Sequence, residues 1–98
     1  MPAYMIITAH IGDRERFVQG YGRQAAQLVE RFGGTYVVRA PGALALEGDQ
    51  GDGASVVVSE WPDKAAALAF WNSADYAEVK KLREGIADCS VLLVETPT

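Results

Sequence analysis

The feature that most constrains this chain is a set of predicted β-strands that are apolar on both faces. Residues 3–9, Ala-Tyr-Met-Ile-Ile-Thr-Ala, carry apolar side chains at both odd and even positions. Residues 54–61, centred on three consecutive valines, and residues 90–95 have a similar pattern. Strands of this kind are buried on both sides. We therefore expect both faces of the sheet to be covered.

Two helical regions are predicted between these strands. The first begins after Asp13, whose side chain can accept hydrogen bonds from the amides of the first turn, and it ends at Gly33-Gly34. Its apolar side chains recur every three or four residues, which is the spacing of one helix face. They are Phe17, Tyr21, Ala25, Leu28 and Phe32.

The second helical region is predicted in two parts that meet near Asn72. Asp63 is the predicted cap of the first part, over residues 65–71, and Ser73 is the predicted cap of the second. Four side chains of the second part are predicted to share one face of the helix. They are Tyr76, Val79, Arg83 and Ile86.

The order of elements is β-α-β-β-α-β once residues 35–39, which are β-branched and aromatic, are added as a strand. Residues 41–53 form a Gly-rich connection, in which residues 43–47 could add a short strand. We predict one α+β, ferredoxin-like domain over residues 1–98, with a four-stranded antiparallel sheet and helices on one face. Because the helices cover one face only, we expect a homodimer in which two sheets pack face to face over more than ~1,200 Å².

Composition argues against several classes of protein. The 98 residues carry a formal net charge of −4 and scattered positive side chains, which disfavours nucleic-acid binding. No apolar run approaches the ~18–20 residues of a membrane span, and the N-terminus lacks the pattern of a signal peptide. One cysteine (Cys89) and one histidine cannot form a zinc-type cluster. A single thiol also suits a reducing compartment. We expect a cytoplasmic protein without a metal or a bound cofactor.

Motifs along nearly the whole chain resemble one known family. They are Gly33-Gly34 with Arg39, Leu46-Glu47-Gly48, Glu60-Trp61-Pro62, Ala66, Trp71-Asn72-Ser73 with Tyr76, Arg83, and Val94-Glu95. In this order they are similar to the "domain of unknown function 1330" family. The resemblance implies the dimeric α/β-barrel superfamily, whose members include monooxygenases, isomerases and cyclases acting on compact aromatic or polyketide-like substrates. The chain departs from the family at Ala40-Pro41-Gly42, which replaces a second glycine-rich step, and at Ala54-Ser55, where many members have an arginine.

Two arginines are candidate ligand-binding residues. Arg83 shares a predicted helix face with apolar residues, and a buried guanidinium must be paired or reach a cavity. Arg39 lies on the second predicted strand and resembles the family's arginine. Each could join a carboxylate network that stabilises the fold, with Glu60, Glu47 and Asp88 as candidate partners of Arg83. Alternatively, each could bind an anionic ligand through two parallel hydrogen bonds.

The other candidates are expected to lie with these arginines in a cleft between the sheet and the helices. His10 ends the first predicted strand, and histidine is the residue type that exchanges protons near neutral pH, so it is the first candidate for acid–base catalysis. Tyr76 is a second candidate proton donor, and Trp71 is a candidate ligand contact. The alternatives are a loop position for His10 and a core or interface position for the two aromatic residues.

Three kinds of function remain open from the sequence. The first is a cofactor-independent enzyme, of monooxygenase, isomerase or cyclase type, that acts on a small anionic or aromatic metabolite. The second is a non-catalytic dimer that binds a carboxylate metabolite, and the third is a structural dimer without a pocket. Analogy at the level of the fold cannot decide between them. A cavity beside Arg83 would separate the third from the other two.

Overall fold

The computed structural model describes residues 1–97 and contains a four-stranded antiparallel sheet in the order β2-β3-β1-β4. Its strands are β1 (Ala3–Ile11), β2 (Thr35–Ala40), β3 (Ser55–Trp61) and β4 (Ala87–Glu95). The central strand β1 pairs with β3 on one side and with β4 on the other, both antiparallel. This is the ferredoxin-like arrangement that the sequence predicts.

Both helical regions are present and both are interrupted. The first comprises α1 (Arg14–Arg16), a π-helical segment (Phe17–Gly22) and α2 (Arg23–Arg31). The second comprises α3 (Lys64–Trp71), α4 (Ala74–Lys80) and a 3₁₀ turn (Lys81–Arg83). The element order β-α-β-β-α-β is therefore confirmed. A π-helical segment widens the helix locally and often occurs at functional sites.

The predicted helix boundaries are confirmed by side-chain hydrogen bonds. The Asp13 side chain accepts from the backbone N–H of Arg16, and the Asp63 side chain accepts from that of Ala66. Ser73 begins α4 in the same way, with its hydroxyl accepting from the Tyr76 N–H. Such caps satisfy amides that the first helical turn leaves unpaired.

Two expectations about local structure are wrong. Residues 43–47 do not form a strand, because the polar groups there pair within the connection itself: the Asp52 carboxylate accepts from the Ala45 N–H. The helix of Tyr76 also does not continue to Ile86. The α-helix ends at Lys80 and a 3₁₀ turn follows over Lys81–Arg83, so Ile86 lies beyond the last helical residue.

The core lies between the helices and the odd-numbered side chains of β1. Ala3, Met5 and Ala9 are buried there, together with Trp61 from β3. The Trp61 indole N–H, which must have a partner when buried, donates to the hydroxyl of Ser59 over 2.9 Å.

No helix of residues 1–97 covers the opposite side of the sheet, which is largely apolar. We call this surface the open sheet face. Register places Ile6 directly between Val58 and Leu92, and places Tyr4 opposite Val94, so these side chains share one face. Leu92 is 63% exposed and Val94 is 41% exposed. The open sheet face is defined by Ile6, Val38, Val56, Val58, Leu92 and Val94.

Candidate functional site

A cavity of about 530 Å³ opens between the first helical region and the sheet. Most of its walls are apolar side chains and backbone from β1, β3, β4, the π-helical segment and α2. Four arginines also line it, which are Arg14, Arg23, Arg39 and Arg83. We call it the arginine cavity. Within residues 1–97, no aspartate or glutamate lines this cavity, although the whole chain has thirteen acidic residues.

Each arginine reaches the cavity from a different element. Arg14 follows the Asp13 cap and donates to the Ser55 hydroxyl over 2.8 Å, which ties α1 to the start of β3. Arg23 is the first residue of α2. Arg39 is paired with Val57 in the sheet, and its guanidinium carbon lies 4.8 Å from the centre of the Tyr36 ring. In the described part of the chain, neither these side chains nor Arg83 form a salt bridge.

Arg83 has the most demanding environment of the four. Its guanidinium carbon lies 5.4 Å from the centre of the Tyr21 ring, a cation–π distance. Its Nε atom is buried and has no hydrogen-bond partner among the described residues. Burial would lower the pKa of Arg83, but Tyr21, Tyr76 and the Cys89 side chain raise it by more, so the group stays charged. A buried charged donor without a partner is costly, which is a reason to expect an acceptor at this point.

The hydroxyls of Tyr21 and Tyr76 form a hydrogen-bonded pair, 2.8 Å apart. Tyr21 lies on the π-helical segment and lines the cavity, whereas Tyr76 is only 2% exposed and packs against the rings of Phe70 and Trp71. Burial, together with Tyr76, raises the pKa of Tyr21 well above its usual value. Burial also raises the pKa of Tyr36. Both cavity tyrosines are therefore neutral donors, not bases, at neutral pH.

The structure brings some of the predicted site residues together. Arg39 and Arg83 both line the arginine cavity, and Tyr76 lies directly behind Tyr21. Trp71 lines a neighbouring depression of about 430 Å³ that shares Arg83 with the cavity. The Lys80 ammonium lies 4.5 Å from the centre of the Trp71 ring. Trp71 therefore borders the candidate site without lining its main chamber.

His10 does not share a cleft with Arg83, so that prediction is wrong. In β1 the odd-numbered side chains point toward the helices, and His10 lies on the opposite side of the sheet, where it is exposed. Its Nε2 atom lies 2.9 Å from the backbone carbonyl oxygen of Gln50 in the 41–53 connection. His10 lines a separate open depression with Asp88 and Arg14.

The prediction that a carboxylate pairs with Arg83 is also wrong. Glu60 lies on the open side of the sheet, opposite Tyr4, and accepts a hydrogen bond from the Tyr4 hydroxyl over 2.7 Å. Glu47 and Asp88 are exposed. Besides the Tyr21 ring, Arg83 lies beside the Cys89 side chain, which is a weak hydrogen-bond acceptor.

Sequence reasoning missed Arg14, Arg23 and Cys89 as cavity residues. Cys89 could have been found from register, because it pairs with Ala9 on the helix-covered side. Arg14 and Arg23 carry no such signal, since both lie on the polar part of the first helical region that the apolar stripe leaves unassigned.

Within residues 1–97, no group of three or more His, Cys, Asp and Glu side chains could hold a metal ion. None of the helices there combines the length and the apolar character that crossing a membrane requires.

Comparison with known proteins identifies the family. The model of the family described as "Domain of unknown function (DUF1330)" matches residues 2–97. The chain belongs to this family. Among curated proteins, none matches the DUF1330 chain described here.

Several solved structures share its fold. A protein of unknown function from Rhodopseudomonas palustris is 23% identical, with a TM-score of 0.80 and coverage of 99% of this chain and 83% of the other. A dimeric ferredoxin-like protein of unknown function from Jannaschia is 12% identical, with a TM-score of 0.75 and coverage of 98% and 100%. SnoaB, a cofactor-independent oxygenase from Streptomyces nogalater, is 14% identical, with a TM-score of 0.71 and coverage of 99% and 94%. At these identities the likeness establishes the ferredoxin-like fold of the DUF1330 chain.

Proposed function

We propose that this protein binds a small organic anion in the arginine cavity and acts on it as a cofactor-independent enzyme. The observation that carries the proposal is the charge of the cavity: among residues 1–97, four arginines and no carboxylate line it, in a chain whose net charge is −4. A structural network of arginines would place carboxylates among them. The volume of about 530 Å³ lies within the usual range for small-molecule sites.

The apolar walls narrow the class of ligand. Apart from the arginines, the cavity is lined mainly by side chains such as Ile7, Val57 and Val91, and by the rings of Phe17 and Tyr21. A compact ligand with an aromatic or aliphatic body and one anionic group would fill it. Inorganic anions would leave most of this apolar surface in contact with water, which is unfavourable.

Catalysis in such a site would depend on stabilised negative charge. A cofactor-independent monooxygenase, isomerase or cyclase acting on an activated carbonyl or phenol would develop negative charge on a substrate oxygen, as an enolate or a phenolate. Arg83, held charged in partly buried surroundings, would stabilise that charge more effectively than a group in water. SnoaB, whose fold is similar, is a cofactor-independent oxygenase, and it supports this class of reaction for the present chain.

A non-catalytic binding protein is the alternative, and one observation favours it. No histidine, aspartate or glutamate of residues 1–97 lines the arginine cavity, so the commonest general bases are missing from its walls. Both proposals require the same anion site. Turnover of a bound ligand would support the enzyme, and unchanged recovery of that ligand would support the binding protein.

The test of the anion site compares phenylacetate with 2-phenylethanol by isothermal titration calorimetry. The two probes have the same ring and chain length, but only phenylacetate is charged. We expect phenylacetate to bind more tightly, and Arg83→Gln to weaken its binding by about 10- to 100-fold, as expected for a charge-assisted hydrogen bond. Arg16→Gln, at an exposed arginine outside the cavity, is the matched control and should change nothing. Equal binding of both probes would contradict the proposal.

We further propose that the protein is a homodimer joined through the open sheet face. Leu92 and Val94 are exposed on that face beside Ile6, and one similar structure is a dimeric ferredoxin-like protein. Large apolar patches on a surface mark sites of association. A second copy packed sheet to sheet would bury this surface on both chains at once.

A further inference from the structure

The two tyrosine hydroxyls near Arg83 lie one behind the other as seen from the arginine cavity. The Tyr21 hydroxyl belongs to a residue that lines the arginine cavity, and Tyr76 lies behind it, almost fully buried. Their rings meet edge to face, with centroids 6.4 Å apart, and their oxygens are 2.8 Å apart. The pair is thus a short chain of hydroxyls that leads from the core to the cavity.

The number of protons in the pair determines which hydroxyl donates the hydrogen bond. Each hydroxyl has one proton to donate. The hydrogen bond between the two oxygens uses one of these protons, so the other proton is free to bond elsewhere. Tyr21 is the only hydrogen-bond partner of the Tyr76 hydroxyl among residues 1–97. If Tyr21 donated to Tyr76, the proton left over would be buried among the rings of Phe70 and Trp71, where it has no acceptor. If Tyr76 donates to Tyr21, the proton left over belongs to Tyr21 and can point into the cavity. The second arrangement avoids a buried unsatisfied donor.

The free proton of Tyr21 lies close to the charge of Arg83. The Arg83 guanidinium packs on the Tyr21 ring, and its buried Nε has no partner among the described residues. The pKa of Tyr21 is raised well above its usual value, so this hydroxyl stays protonated and can donate a hydrogen bond. The cavity therefore has a cationic guanidinium and a neutral hydroxyl on neighbouring side chains.

We propose that Tyr21 is a specificity-determining residue that donates a hydrogen bond to a second oxygen of the anion held by Arg83, and that Tyr76 is a positioning residue that directs the Tyr21 proton. This inference rests on the proposed anion site and names its ligand class. The ligand is a carboxylate with a carbonyl oxygen on the neighbouring carbon, a 2-oxo acid with an apolar body.

The test uses two anions that differ only at that oxygen. Benzoylformate has a ketone where phenylacetate has a methylene group, and both keep the phenyl ring and the carboxylate. We expect the wild-type chain to bind benzoylformate about five- to tenfold more tightly, the ratio that one neutral hydrogen bond provides. Tyr21→Phe should bring the ratio close to one and leave phenylacetate affinity within about twofold. Tyr4→Phe, at a tyrosine outside the cavity, should keep the wild-type ratio.

Tyr76→Phe tests the positioning role. It should lower the preference for benzoylformate without abolishing it, because the Tyr21 hydroxyl remains but can turn. A second readout is the ¹³Cζ resonance of Tyr21 in tyrosine-labelled protein. It should move in Tyr76→Phe before any ligand is added, since the Tyr21 oxygen loses the bond that it accepts. An unchanged ratio together with an unchanged resonance would overturn the positioning role.

The labelled wild-type protein keeps the inference testable if Tyr21→Phe does not fold. Benzoylformate should shift the Tyr21 ¹³Cζ resonance and phenylacetate should not. The role of Tyr21 is overturned if benzoylformate shifts only the resonances of Tyr4 or Tyr36. It is also overturned if folded Tyr21→Phe keeps the full preference for benzoylformate. Neither result affects the Arg83-dependent binding of phenylacetate. If phenylacetate binds independently of Arg83, the proposed anion site fails and this inference fails with it.

Discussion

Gly34 packs directly against the indole ring of Trp61. A Cβ atom at residue 34 would lie 2.8 Å from two carbon atoms of that ring and equally close to a methyl group of Val29. Real Cβ atoms are not found so near other carbons, and Trp61, at 1% exposed, has little room to move. The close approach lets the turn after α2 enter β2 over the core.

This contact predicts a matched pair of glycine substitutions. Gly34→Ala should lower the free energy of unfolding by about 1–3 kcal/mol, the usual cost of overpacking a core. Gly20→Ala, in the π-helical segment with open space around it, should be neutral or stabilising by up to about 1 kcal/mol. Urea denaturation at one protein concentration compares the two variants. Equal stability of both would show that Trp61 yields easily.

Removing Arg83 should cost ligand binding and little stability. A carboxylate partner left unpaired in the interior would cost about 3–5 kcal/mol, but Arg83 has no such partner in residues 1–97. We expect Arg83→Leu to change the free energy of unfolding by no more than about 1 kcal/mol. Phe70→Ala, in the core, should lower the free energy of unfolding by about 3–5 kcal/mol. This variant is the control that shows that urea denaturation detects a loss of that size. A large loss in Arg83→Leu would indicate a partner that the dimer supplies.

The dimer should depend on the open sheet face. Leu92→Glu would place two like charges against apolar surface when two such faces meet, so we expect a monomer by light scattering. Leu82→Glu, at a leucine that is 41% exposed in the 3₁₀ turn, should remain a dimer. A wild-type chain that is monomeric at micromolar concentration would contradict the proposed assembly.

Alkaline pH should weaken the fold through Tyr21. Its pKa is raised by burial and by Tyr76, whereas in the unfolded chain it ionises near pH ~10. Above that pH the unfolded chain loses a proton that the folded chain keeps, so stability is intact below ~10 and falls as pH rises further. Urea denaturation at about pH 8 and about pH 10.5 should show that the free energy of unfolding falls less in Tyr21→Phe than in the wild type. An equal loss would mean that Tyr21 ionises readily in the folded protein.

Much of the fold could be predicted because its signals are local. The caps Asp13, Asp63 and Ser73 are each read from a few neighbouring residues, and so is the break near Asn72. No comparable local signal predicts the π-helical segment (Phe17–Gly22) that interrupts the first helical region.

The candidate site was harder to predict because it depends on which way a strand faces. In β1, Met5 and Ile7 on one face are as apolar as Ile6 on the other, so the sequence does not reveal which side meets the helices. His10 was placed on the wrong side for this reason. Arg83 was found because it is a charged residue on a predicted apolar helix face, a conflict that a partner or a ligand resolves. Arg39 was found only from the resemblance to the family.

The position of Cys89 supplies a chemical reporter inside the cavity. It is the chain's only cysteine, and it lines the arginine cavity beside Arg83. Iodoacetate and iodoacetamide are similar in size and alkylate the same sulfur, but only the first is an anion. The ratio of their rates at Cys89 therefore measures the electrostatic potential in the cavity without knowledge of the natural ligand. A compound that occupies the cavity would slow both reagents, so alkylation of one thiol also provides a screen for that ligand.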